Sequence, residues 1–397
     1  VRYNINMKKP LIIGIGIGVF VLIFLVWVYL FLFGAPTSSG DFFTDLGFET
    51  DNQPTSPIAT ESDSDEDNFS LVDTYNSALR QLTTRPVAGF VATEIASSTK
   101  VRYVEQGTSH IYEIDLMSGE ERRVSGTTIP RVNEAVFSSN GEEVVVKSAD
   151  GYERKVFVGR IVEGDDGSLT GYNLPPESRD WQFVDEGLKY TLADNTGTEG
   201  YLYDPSTNSQ QTIFSVPFLS VTTLFEEGRN IIYNRHTPNL PGGLYESSGF
   251  SLTPITSTRF GLSALVNDDW TIVSHVSDSD MDTLAILNES GKEYQVALDM
   301  IPEKCTFNNE NPNTIWCAAP IGDLSNTYQD DWYKGLVRSN DVFWLVNILT
   351  GSADLVLNPS LTIGRELDVI NLTQFGDVLF FVNKNDNTLW LYDYTNF

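Results

Sequence analysis

The sequence predicts an all-β fold: a seven-bladed β-propeller of four-stranded blades, preceded by one N-terminal transmembrane helix and a disordered acidic linker. Three observations carry that prediction. From Leu79 onward, short apolar strands alternate with turn residues, and no helical period interrupts them. The same strand order recurs about every 40–45 residues, the length of one four-stranded blade. Ahead of it, Leu11 to Phe33 is an apolar stretch of 23 positions without a charge.

That stretch is long enough to cross ~30 Å of hydrocarbon as a helix. Trp27 and Tyr29 lie toward its far end, where amphipathic rings favour the interface. Arg2, Lys8 and Lys9 precede it, and Gly34 to Gly40 carry no charge. The positive-inside bias therefore places residues 1–10 in the cytoplasm and the rest of the chain outside. A cleaved signal peptide has a shorter apolar region ending in small residues. Here the run closes Phe33-Gly34-Ala35-Pro36, so residues 11–33 read as an uncleaved signal anchor in the cytoplasmic membrane, single-pass, with the lipid bilayer as its partner.

Residues 34–77 read as a flexible linker. Prolines sit among Ser, Thr, Asp and Gly, and the run Glu61 to Asp67 carries too much charge to bury surface. Asp63, Asp65 and Asp67 mimic the start of a calcium loop, but Asn68 replaces the required glycine and Thr74 the terminal glutamate.

The propeller is expected over 78–397. The second strand of each repeat centres on Tyr103, Val145, Tyr190, Ile232, Ile272, Trp316 and Phe380, giving intervals of 42, 45, 42, 40, 44 and 64. Such a period fits blades that pack only on their neighbours. The seventh repeat runs out of chain after three strands. An open ring would expose unpaired edges. Arg80 to Pro86 resembles the segment Arg123 to Pro130 that follows one blade's outer strand, so residues 78–84 are expected to complete the last blade.

With 41% hydrophobic and 20% charged residues, a large core is feasible. The net charge of −29 repels phosphate backbones, and nucleic acid is excluded as a partner. Three histidines and two cysteines leave little material for a metal site, and neither a metal nor a cofactor is expected. His110, His236 and His275 fall in different repeats. Asp278, Asp280, Asp282 and Glu289 form a second calcium-like string, but Thr283 stands where glycine is required, and a polar turn is the expectation. Cys305 and Cys317 lie on the first two strands of the sixth repeat, where a hairpin disulfide is expected.

The order Ile111 to Gly119, Arg123-Val124-Ser125, Phe137 to Gly141 resembles the repeat of TolB-like, WD-repeat-like bacterial propellers, and the whole chain is similar to a membrane-anchored surface subgroup of unassigned activity. The resemblance covers residues 79–397 and is sharpest in the first repeat. It implies a protein-binding module of the bacterial envelope, outside the cytoplasmic membrane, and carries over no catalytic residues.

The 64-residue interval arises because residues 322–340 are inserted between the second and third strands of the sixth repeat. Long loops inside compact domains are usually functional. This one holds Tyr328, Asp330, Asp331, Trp332, Tyr333 and Lys334, aromatics beside charges as in interfaces and carbohydrate platforms. The other possibility is that Trp332 and Tyr333 fold back over the blade. The expected function is binding or scaffolding of an envelope or surface protein or polysaccharide through the face carrying this loop. The alternative is an extracytoplasmic hydrolase acting on glycans or peptides at the propeller mouth.

Overall fold

In a computed structural model of the chain, the residues described are 77–396, apart from 152, 163, 165–166, 227, 235–237 and 278–279. The membrane helix expected at 11–33 and the linker up to residue 76 lie outside the described residues. Among the described residues, no helix is long and apolar enough to cross a membrane.

Seven antiparallel sheets follow one another along the chain. Blade 1 spans 87–125, blade 2 132–174, blade 3 179–216, blade 4 222–254, blade 5 259–296 and blade 6 305–357, and blade 7 begins at 369. Second strands are sandwiched between neighbouring blades, so both their faces are largely apolar. Val144, Val145 and Val146 of blade 2, and Leu379, Phe380 and Phe381 of blade 7, are at most 1% exposed. Outer strands read differently: Glu121–Ser125 exposes its first three residues to solvent. The core is accordingly a set of clusters between blades. Val145 and Val158 of blade 2 pack on Trp181 and Tyr190 of blade 3, and Trp316 and Phe343 of blade 6 pack on Phe381 and Trp390 of blade 7.

Inner strands approach one another closely. A Cβ added at Gly89 of blade 1 would lie 2.0 Å from the Ala135 carbonyl oxygen of blade 2, so no other residue fits without separating the blades. Inner strands also begin irregularly. Their register shifts in blades 3 and 7, where Asp180 and Asn371 take left-handed φ values of 52° and 54°. The half-buried Asp180 carboxylate accepts bonds from Thr191 Oγ1 (3.0 Å) and from the Thr223 N–H of blade 4 (3.1 Å), which locks blades 3 and 4 together. Burial lifts its pKa above the usual carboxylate range.

The ring closes with a strand from the N-terminal side. Leu79–Gln81 pairs antiparallel with Thr388–Asp393, Leu79 opposite Tyr392 and Gln81 opposite Trp390. The Leu82 N–H continues the ladder to the Leu389 carbonyl at 2.7 Å, and Thr83 Oγ1 accepts from the Leu389 N–H at 3.0 Å. Blade 5 gains a fifth strand, because Pro241–Gly242 from a blade 4 loop pairs with Phe260 and Arg259.

Cys305 and Cys317 are disulfide-bonded and directly opposite each other in the hairpin, Cα atoms 4.1 Å apart. A cross-link over so short a span contributes about 2–4 kcal/mol by restricting the unfolded chain. Among the described residues, two short α-helices depart from the all-strand expectation: Tyr328–Tyr333 and Pro359–Thr362. At six and four residues, neither is long enough to leave a 3.6-residue period in the sequence.

Candidate functional site

In each blade the loop between the second and third strands shares a face with the connection to the next blade. The insertion of blade 6 lies on this connector face and is tied to its neighbours on both sides. Ser325 bridges to Asp280 of blade 5, and the Met281 N–H donates to the Leu324 carbonyl at 3.1 Å. On the other side, Lys384 Nζ of blade 7 donates to the Trp332 carbonyl at 2.6 Å.

Of the two possibilities for Trp332 and Tyr333, exposed anchors or a fold back over the blade, the structure shows the second. Trp332 is 4% exposed and packs with Met281, Ile301 and Leu324, and Tyr333 is half-buried against the same cluster. The cause is the helix: residues four apart share a face, so Tyr328 and Trp332 point inward together. The Tyr328 hydroxyl donates to Ser339 Oγ at 2.8 Å, and the Tyr333 hydroxyl donates to Glu303. Lys334 stays at the surface and pairs loosely with Asp330 at 3.6 Å. Asp331 works through its backbone, its carbonyl accepting from the Leu336 N–H at 2.8 Å. The residues predicted as a binding platform are thus largely the inner lining of a cap.

Beneath the cap lies a charged centre that the sequence reading missed. Lys304 is 1% exposed, and its ammonium donates to Asp341 Oδ2 at 2.6 Å and Asp368 Oδ1 at 2.8 Å. Trp332 Nε1 donates to the same Asp368 oxygen at 2.8 Å. The Asp341 carboxylate also accepts from the Val369 N–H at 2.7 Å and from the Ser339 hydroxyl. Two ammonium groups lie against the indole ring of Trp332, Lys384 at 3.7 Å and Lys304 at 4.7 Å from its centroid. Burial disfavours the Lys304 charge, but the two carboxylates outweigh it and hold its pKa above the ordinary lysine value. Complete burial pushes Asp341 upward, opposed by the donors around it. Burial and the nearby Lys304 leave Lys384 lower than usual. Lys304, Asp341, Asp368 and the Trp332 indole thus bind one another inside the protein, a structural clamp joining blades 6 and 7.

A second site, on the opposite face, is concave and open. A groove of 980 Å³ lies between blades 2 and 3. Its walls include Tyr172 and Phe183, with Glu143, Arg160, Asp185, Glu186 and Asp204 around them. Tyr172 is half-buried and packs at a tilt against Tyr203, ring centroids 4.7 Å apart. Burial, together with Tyr203 and Glu143, raises its hydroxyl pKa. The turn Asp185-Glu186-Gly187 is held in place because Gly187 takes φ 144° and presses on the Tyr203 carbonyl, where a Cβ would come within 2.1 Å. Asp204 accepts from the hydroxyls of Ser206 and Thr207 and from the Ser206 N–H, which lower its pKa to about 2. Arg160 reaches only loosely toward Glu142 and Glu143, at 3.9 and 3.8 Å. No single stretch of sequence marked this groove, since its residues come from six strands and three turns.

The other candidates separate in space. His110 Nε2 lies 2.9 Å from Thr128 Oγ1, His275 is buried beside Arg259 at 3.4 Å, and His236 lies outside the described residues. Burial and Arg259 lower the His275 pKa. Asp280 and Asp282 belong to the strand Asp280–Leu287, and Asp278 is outside the described residues. Among the described residues, no group of three metal-ligating side chains forms a metal site.

No protein-family model matches the sequence, and no curated protein matches it. Solved structures do match. Oligogalacturonate lyase from Vibrio parahaemolyticus aligns at TM-score 0.52 and 11% identity, over 79% of this chain and 93% of that one. Acylaminoacyl peptidase from Pyrococcus horikoshii aligns at TM-score 0.50 and 9% identity, over 78% of this chain and 51% of that one. TolB from Acinetobacter baumannii is also among them, at TM-score 0.38, 11% identity and 76% of this chain. At such identities the likeness is one of fold. It is a β-propeller fold that binding proteins and enzymes both use.

Proposed function

We propose that the chain is a membrane-anchored, extracytoplasmic binding propeller that recognises an envelope protein or polymer. The observation that carries this reading is the open groove of 980 Å³ with aromatic walls and the exposed carboxylates Asp185 and Glu186 at its rim. The insertion on the opposite face, by contrast, has its aromatic and charged side chains engaged with its own neighbours. The disulfide supports a location outside the cytoplasm, where such bonds persist. The apolar stretch Leu11 to Phe33 would serve as the anchor, and the acidic linker would hold the propeller off the bilayer.

Protease added to intact cells expressing the chain should release a fragment beginning within residues 36–77; cleavage only after lysis would reverse the orientation. The purified full chain should retain one saturable partner from an envelope preparation and turn over neither glycans nor peptides. Turnover of either substrate class would replace binding by hydrolysis.

A further inference from the structure

We infer that the groove between blades 2 and 3 takes an extended peptide segment bearing lysine or arginine. The inference rests on the binding reading above and names its ligand chemistry. Four carboxylates line the groove, Glu143, Asp185, Glu186 and Asp204, against one guanidinium, Arg160. Asp185 and Glu186 are exposed at a turn tip and form no ion pair among the described residues. Asp204 is fixed as an anion by its turn. The groove therefore presents a negative field that its own residues leave largely unneutralised.

The aromatic wall supplies the second element of recognition. Tyr172 offers a half-buried ring beside these carboxylates. A ligand cation over that ring, with its head toward a carboxylate, gains both cation–π and ionic attraction. The protein already makes this contact internally: Arg85 lies 4.2 Å from the Tyr112 centroid and next to Glu121, and Lys292 lies 4.4 Å from that of Tyr294. A neutral glycan would stack on Tyr172 equally well but would leave the carboxylate excess unanswered. Charge complementarity therefore selects the basic peptide. At 980 Å³ the groove accommodates several residues of extended chain.

The test uses the full chain, purified in mild detergent, and a fluorescein-labelled peptide of alternating lysine and glycine at ~150 mM salt, where long-range attraction is screened beyond ~8 Å. Fluorescence anisotropy should show saturable binding. Asp185→Asn with Glu186→Gln, both on an exposed turn and harmless to the fold, should weaken it at least about tenfold, and Tyr172→Ala by a similar factor. Glu289→Gln with Asp354→Asn removes the same charge from other blades and should change it less than about twofold. Equal losses in the two charge-neutralised variants would overturn the inference, since net charge alone would then explain the binding. So would binding of maltohexaose, but not the peptide, in a Tyr172-dependent manner; that result would leave the binding reading standing and change only the ligand. Failure of both probes would also overturn the inference, while the partner-retention experiment decides the binding reading separately.

Discussion

Deleting residues 77–84 from the full chain should collapse the cooperative thermal transition of the propeller, whereas deleting residues 50–70 should leave it in place. The first deletion removes the outer strand of blade 7. Leu79 is 2% exposed and packs with Trp390, Tyr392, Leu367 and Phe381, so Leu79→Ala alone should cost about 2–5 kcal/mol. The deletion adds the loss of the ladder to Leu389, Trp390 and Tyr392, and of the bond from Arg365 Nη1 to Gln81 Oε1 at 3.0 Å. It also leaves an unpaired edge of apolar strand, a template for aggregation. Propeller blades are stabilised chiefly by their neighbours, so a lesion in blade 7 loosens blades 6 and 1 as well. Circular dichroism on heating distinguishes the outcomes. Equal melting temperatures for the two deletions would show that the N-terminal strand is not what closes the ring.

The blade architecture was legible in the sequence because propeller strands announce themselves locally. A second strand such as Val144–Val146 must be apolar on both faces, and the turn that follows an inner strand must carry a residue such as Gly141 or Gly187. Those requirements repeat, so the spacing of Tyr103, Val145 and Tyr190 reports blade number directly. Closure was legible for the same reason: a missing strand in one repeat has to be supplied by another segment. The site was not legible, and the cause is geometric. Trp332 and Tyr333 look the same in sequence whether they face solvent or a cluster, and a helix of six residues is too short to declare which face is buried. Lys304, Asp341 and Asp368 meet across separations of 37 and 64 residues, each in a connection whose role depends on the ring having closed. The groove likewise joins Tyr172 to Asp185 only because blades 2 and 3 lie side by side. Interblade features carry no local spacing.

Replacing Lys304 by methionine should destabilise the propeller by about 3–5 kcal/mol, on the order of 10 °C in melting temperature. Methionine preserves most of the side-chain volume, so the expected loss is electrostatic. It would leave Asp341, which is 0% exposed, and Asp368, which is 1% exposed, facing each other without their shared cation. Trp332 would lose one of the two ammonium groups against its ring, and Asp368 would keep only the indole N–H and the Ser339 N–H as donors to its oxygens. Since the two carboxylates raise the Lys304 pKa in the fold, its contribution is complete below the unfolded lysine value of ~10.4 and fades only as pH rises through the folded value. The wild-type advantage over Lys304→Met should therefore hold throughout neutral pH. Neutralising the stranded acids as well, with Asp341→Asn and Asp368→Asn, should recover part of the loss, because the cost lies in uncompensated buried charge rather than in a missing attraction. Lys384→Met, which removes only a half-buried partner of the Trp332 ring and carbonyl, should cost about 1 kcal/mol. Urea denaturation of the four proteins at constant pH orders these effects. A triple variant no more stable than Lys304→Met would mean that uncompensated charge on the two carboxylates is not the source of the loss.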